Sequence, residues 1–134
     1  MISLLIITHE TLGSAYTTIG SHFFAGQDLS HVHILNVQHD DDHQSIINRA
    51  YELLSEINRG HGVLILTDIF GATPCNAAMK MIVPQQSAMI SGLNAPMLIK
   101  AMSYAPKETN LIAFTETVKQ AGINGIMAFT ENTK

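Results

Sequence analysis

Apolar residues fall into two rhythms along this chain. The first is the short unbroken run. Residues 2–7, "ISLLII", are continuously β-rich, the pattern of a strand buried on both faces. Residues 31–37, "HVHILNV", 63–67, "VLILT", and 87–91, "SAMIS", repeat it in shorter form. The second rhythm is helical. Ile46, Ile47, Ala50, Leu53, Leu54 and Ile57 recur at helical spacing within residues 42–58, predicting an amphipathic helix that Gly60 and Gly62 close. Another helix starts at Thr11 or Ser14 and runs to about Ala25, with Gly26 ending it. Thr73 reads as an N-cap with Pro74 in the first helical position, and that helix fades by Val83-Pro84. A short helix is expected over 97–104, a last helix over about 107–121, and "GIMAF", residues 125–129, as a fifth strand.

Strands alternating with helices imply βαβ units and a mainly parallel sheet. Right-handed crossovers then give a doubly wound α/β fold of four strands in flavodoxin-like order, with the fifth strand at the C-terminus. The 134 residues suit one domain, 1–134, with no linker or repeat. Composition narrows the function. Eleven acidic against seven basic residues give a net charge of −4, which lacks the basic footprint of nucleic-acid binders. The one cysteine, Cys75, rules out an internal disulfide and suits a reducing cytoplasm. "MISLLIITHE" has no basic n-region and reads as a buried strand, not a signal peptide. Every apolar run falls short of the roughly 20 residues of a membrane span.

In doubly wound folds ligands bind beyond the carboxyl ends of the strands, where strand order reverses. Here those ends are Thr8-His9-Glu10 and Thr67-Asp68. Neighbouring strands lie about 4.8 Å apart, so His9 and Asp68 are expected within reach of one another. An Asp that accepts from one imidazole nitrogen fixes the tautomer and leaves the other nitrogen as a nucleophile. The turn "IFGATP" after Asp68 offers backbone N–H groups suited to a phosphoryl group. Blander readings compete: a loop histidine on the surface, an aspartate serving only as a turn residue, a Gly71 needed only for backbone geometry. "HDDDH", residues 39–43, has the residue types of a metal site but reads better as a solvated helix entry capped by Asp42 or Asp41. His31 and His33 alternate on one strand face, expected at a surface edge. The absence of a G-x-x-x-x-G-K-[ST] motif argues against a P-loop nucleotide site and that of G-x-S-x-G against an α/β-hydrolase.

Three segments carry a family resemblance: "IITHETLG" at strand one, "GVLILTDIFGATPCNAA" at strand three and "ISGLNAPML" after strand four. Over nearly the whole chain the sequence resembles the IIA domain of the mannose family of the phosphoenolpyruvate-dependent sugar phosphotransferase system. The resemblance implies that a histidine accepts a phosphoryl group from the phosphocarrier HPr and passes it to a IIB component. Phosphoryl transfer between two histidines is nearly isoenergetic, so neither a metal nor a nucleotide is expected. Carried onto this sequence, His9 is the phosphorylated residue and Asp68 its orienting partner. Backbone N–H groups of Gly71, Ala72 and Thr73 cradle the phosphoryl oxygens, with Thr8, Phe70, Asn94 and Pro96 around the rim. Family domains are homodimers whose last strand pairs with the neighbouring subunit, so "GIMAF" is expected to be swapped. The resemblance also implies a cytoplasmic phosphotransferase that meets the membrane only indirectly, through a permease complex. The sequence ends at Lys134 with no IIB domain behind it, so a IIA acting in trans, in sugar transport or in regulation, is the expectation.

Two rivals share parts of this pattern. The phosphocarrier subunit of dihydroxyacetone kinase also places a histidine after strand one, but "FGATPCN" and "GLNAPM" fit the mannose group better. A response-regulator receiver would be phosphorylated on Asp68. It needs an acidic pair after strand one, where this chain has Thr8-His9-Glu10, and a lysine after strand five, and none follows a matching strand.

Overall fold

A computed structural model describes residues 1–69 and 71–132. Four strands, β1 (Ser3–His9), β2 (Val32–Val37), β3 (Val63–Thr67) and β4 (Ser87–Ser91), form one parallel sheet in the order β2-β1-β3-β4. Five α-helices connect or follow them: α1 (Leu12–Phe23), α2 (His43–Ile57), α3 (Thr73–Met79), α4 (Ala95–Tyr104) and α5 (Leu111–Asn124). None is long and apolar enough to cross a membrane.

The central pair explains the unbroken apolar runs. Leu4, Leu5, Ile6 and Ile7 of β1 and Leu64, Ile65 and Leu66 of β3 are all fully buried. Because successive side chains point to opposite faces, each strand feeds two cores. Leu4, Ile6, Leu64 and Leu66 pack with Leu98, Phe114 and Val118 of α4 and α5. Leu5, Ile7 and Ile65 pack with Ile46, Ile47 and Ala50 of α2 and with Ala77 and Ala78 of α3. Parallel register pairs Ile7 with Thr67 and His9 with Val37, so β1 and β2 end level and β1 runs two residues past the end of β3.

Several boundaries differ from the sequence expectation. Thr73 is not the N-cap of α3: Ala72 takes that place in an extended conformation, and Thr73 is already helical. Gly71, at φ +85, completes the tight turn one residue earlier than the Thr-Pro signal suggests. Helix α3 ends at Met79 rather than near Val83. Helix α4 begins at Ala95, since the Asn94 side chain caps it by accepting from Met97 N–H at 3.0 Å. Asn110 likewise caps α5, and the Pro-containing residues Ala105–Lys107 form a separate 3₁₀ turn. His31 lies just before β2 and is buried, not at a surface edge; its Nε2 is 3.2 Å from the Met102 carbonyl of α4. Burial lowers its pKa, partly countered by that carbonyl. "GIMAF" forms no strand within the single chain, because no ladder partner lies beside it; Ile126, Met127 and Phe129 are more than two-thirds exposed.

The acidic loop resolves into structural work. Asp42 caps α2, accepting from Ser45 N–H at 3.2 Å. Asp41 accepts from Arg49 and from Gln38 N–H at 3.0 and 2.7 Å. Asp42→Ala should therefore cost about 1 kcal/mol of unfolding free energy, read by urea denaturation, and the loss should be the same with or without added divalent cations.

Candidate functional site

His9 is the last residue of β1, and Asp68 the first after β3. Their meeting follows from the pairing of β1 with β3: Ile7 lies opposite Thr67, so β1 carries His9 past the end of β3 to the level of the turn that Asp68 opens. Asp68 Oδ2 accepts from His9 N–H at 3.1 Å and lies 2.7 Å from His9 Nδ1. Asp68 Oδ1 accepts from Ile69 N–H at 3.0 Å. The Asp68 side chain is 6% exposed and that of His9 41%. An ionised carboxylate only accepts, so Nδ1 must carry the hydrogen, and in the neutral ring Nε2 then keeps its lone pair. Burial alone would push the Asp68 carboxyl up, but the hydrogen bonds and charge of His9 outweigh it and hold the pKa below the ordinary 3.8.

The turn beyond Asp68 is held by its own bonds. Asn76 Nδ2 donates to the Gly71 carbonyl at 3.1 Å, and Ala72 N–H donates to the Ile69 carbonyl at 3.3 Å. Of the three expected N–H donors, that of Ala72 is thus already engaged. Phe70 lies outside the described residues. The loop after β4 joins the same edge: Gly92 and Leu93 N–H both donate to the Thr67 carbonyl, at 3.1 and 2.9 Å. Asn94 stands in that loop, but its side chain serves the helices, capping α4 and donating to the Gly122 carbonyl of α5 at 3.0 Å. Pro96 is exposed. Thr8 does not line a mouth: it is fully buried, and its hydroxyl accepts from Gly13 N–H at 2.7 Å, tying the start of α1 to β1.

Two participants carry no sequence signal of their own. Tyr16 of α1 donates to the Leu93 carbonyl at 3.4 Å, which only the packing of α1 could reveal. Glu10, directly after His9, adopts φ +51, a left-handed conformation that costs a non-glycine residue about 1–2 kcal/mol. Among the described residues, no group of three or more His, Cys, Asp or Glu side chains is arranged to hold a metal ion.

A family model described as "PTS system fructose IIA component" matches residues 3–119. The chain belongs to that family. The PTS system fructose-specific EIIA component of Bacillus subtilis (strain 168) is 39% identical over 61 residues, covering 45% of this chain and 42% of that protein. The PTS system mannose-specific EIIAB component of Escherichia coli (strain K12) is 26% identical over 63% of this chain and 27% of its own length. The match therefore spans less than half the length of either curated relative. Among solved structures, the mannose/sorbose specific IIA subunit of the phosphotransferase system from Enterococcus faecalis superposes with a TM-score of 0.82. It is 21% identical and the overlap covers 98% of this chain and 97% of that one, which establishes a shared fold.

Because the folded pKa of Asp68 is depressed, the stability it contributes is complete above pH 3.8 and is lost as pH falls through the lower folded value. Asp68→Asn should flatten this acid limb and cost about 1–2 kcal/mol at neutral pH. Urea midpoints measured from pH 7 down to pH 2 check both expectations.

Proposed function

We propose that this chain is a phosphocarrier: His9 Nε2 accepts a phosphoryl group from phospho-HPr and passes it to a IIB component, serving sugar uptake or its regulation. The observation that carries this reading is the 2.7 Å contact between His9 Nδ1 and Asp68 Oδ2 in a chain of the PTS IIA family. It leaves Nε2 of the half-exposed His9 ring with a free electron pair. That pair attacks phosphorus in line while the donor's N–P bond breaks and its electrons return to the donor imidazole. The Nδ1 proton stays between ring and carboxylate throughout, and Asp68 offsets the positive charge that the ring acquires. Charge on the transferring group is spread over three oxygens, so positioning and electrostatics supply the catalysis. Gly71 and Thr73 N–H groups, with the Thr73 hydroxyl, are the donors we assign to those oxygens. Ala72 N–H joins them only if the turn opens its bond to Ile69. No metal and no nucleotide take part.

We further propose a homodimer in which residues 125–129 pair with the partner. Among the described residues, the outer edge of β4 has no neighbour in the sheet order. Beside it runs a groove bordered by Met89, Ile123 and Ile126, and the adjacent segment leaves Ile126 and Phe129 exposed.

Phosphoenolpyruvate, Enzyme I and HPr should label the protein on His9 with an acid-labile, base-stable bond. His9→Ala should abolish labelling, and Asp68→Asn should slow it roughly 10- to 100-fold. Full labelling of the His9→Ala variant, or a base-labile bond on Asp68, would falsify the assignment and favour a receiver. For the assembly, Ile126→Asp with Phe129→Asp should convert a dimer to a monomer in light scattering; a mass unchanged by the pair removes the swapped strand.

A further inference from the structure

The peptide groups on either side of His9 are pinned to different strands. The His9 N–H donates to Asp68 Oδ2 at 3.1 Å, beyond β3. The next N–H, that of Glu10, donates to the Val37 carbonyl at 2.8 Å, at the end of β2. Between these two anchors the imidazole lies with Nδ1 2.7 Å from Asp68 Oδ2. The second anchor requires the chain to turn at once from strand to helix, and Glu10 makes that turn in the left-handed region, at φ +51. Asparagine, aspartate and glycine adopt this conformation readily, whereas glutamate does not. Strain of this kind persists only where surrounding contacts over-determine it. The contact present is specific: Glu10 Oε1 accepts from His39 N–H at 3.1 Å, with the His39 ring 3.9 Å away. His39 follows β2 closely, so the bond closes a small circuit from His9 through Glu10 to the β2–α2 loop and back through Val37.

We infer that Glu10 is a positioning residue for His9. Its carboxylate, by accepting from His39 N–H, holds the left-handed turn that fixes the peptide after His9 and keeps Nδ1 on Asp68. The bond to the backbone amide does this, since both side chains of the accompanying pair are largely in water, at 53% exposure for Glu10 and 90% for His39. An ion pair so exposed contributes little, while a carboxylate–amide hydrogen bond is charge-assisted and directional. The inference rests on the phosphocarrier reading for its consequence in transfer, but its structural content is separate from it.

Two readouts keep these apart. The first is the nitrogen chemical shifts of the His9 imidazole, which report the tautomer in the unphosphorylated protein. The second is the rate of labelling by phosphoenolpyruvate, Enzyme I and HPr. Glu10→Ala removes the tether and keeps the strain; it should turn a single Nδ1–H tautomer into a mixture and slow labelling about tenfold. Glu10→Gln keeps an acceptor for His39 N–H without the charge and should restore most of both readouts. Glu10→Gly removes tether and strain together and should fall between the two. Circular dichroism confirms that each variant is folded. Wild-type shifts in Glu10→Ala overturn the inference, as does a Glu10→Gln variant no better than Glu10→Ala. A tautomer change in Glu10→Ala alongside a wild type that never labels would uphold the positioning role and remove the phosphocarrier function instead.

Discussion

The carboxylate of Asp68 is where the ends of two strands and the following turn are joined. One oxygen takes both donors of His9, and the other takes Ile69 N–H. A largely buried carboxylate would by itself favour its neutral form. The imidazole reverses that preference, and the same bond decides which ring nitrogen is free. Charge, tautomer and orientation are thus set by a single contact. If Asp68 were neutral, the backbone N–H of His9 would lose its ionised acceptor and the ring would be free to rotate. The chemistry of the ring and the local order of the strand end cannot be separated.

What holds the two residues at that spacing is the sheet and its two cores. Each fully buried leucine or isoleucine in β1 and β3 contributes about 1.5–3 kcal/mol, against about 1 kcal/mol net for an ordinary hydrogen bond. With seven such residues in the two strands, the register is fixed by apolar packing and the site conforms to it. The Thr67 carbonyl extends this rigidity sideways by receiving both Gly92 and Leu93 N–H. The loop after β4 is therefore built onto the end of β3, one residue before Asp68. Thr8 has the corresponding role on the other side, anchoring α1 through Gly13.

Much of this was legible in the residues. Strands buried on both faces leave apolar runs that no surface element needs, so β1 and β3 could be read directly, and the switch-point rule then placed His9 against Asp68. Pairs that depend on how helices pack were not legible. His31 is buried because α4 covers it, and nothing in "HVHILNV" says which helix will arrive. The family resemblance placed Thr8 at the rim, yet alternation along the strand turns it inward toward α1. The cap of α3 slipped from Thr73 to Ala72 because Gly71 already makes the turn. Glu10 escaped notice for a different reason. Glutamate has no propensity for a positive φ, so only coordinates reveal that it adopts one.

The unpaired outer edge of β4 bears on how such a chain survives its own synthesis. A strand edge with free amide and carbonyl groups accepts any extended apolar segment, from a sister molecule or from an unrelated nascent chain. Ile126, Met127 and Phe129 stand exposed nearby and can themselves enter a foreign edge. A free strand edge and an exposed apolar segment on one molecule are the two halves of an adhesive joint. Resistance to association then depends on what covers that joint as much as on the stability of the fold.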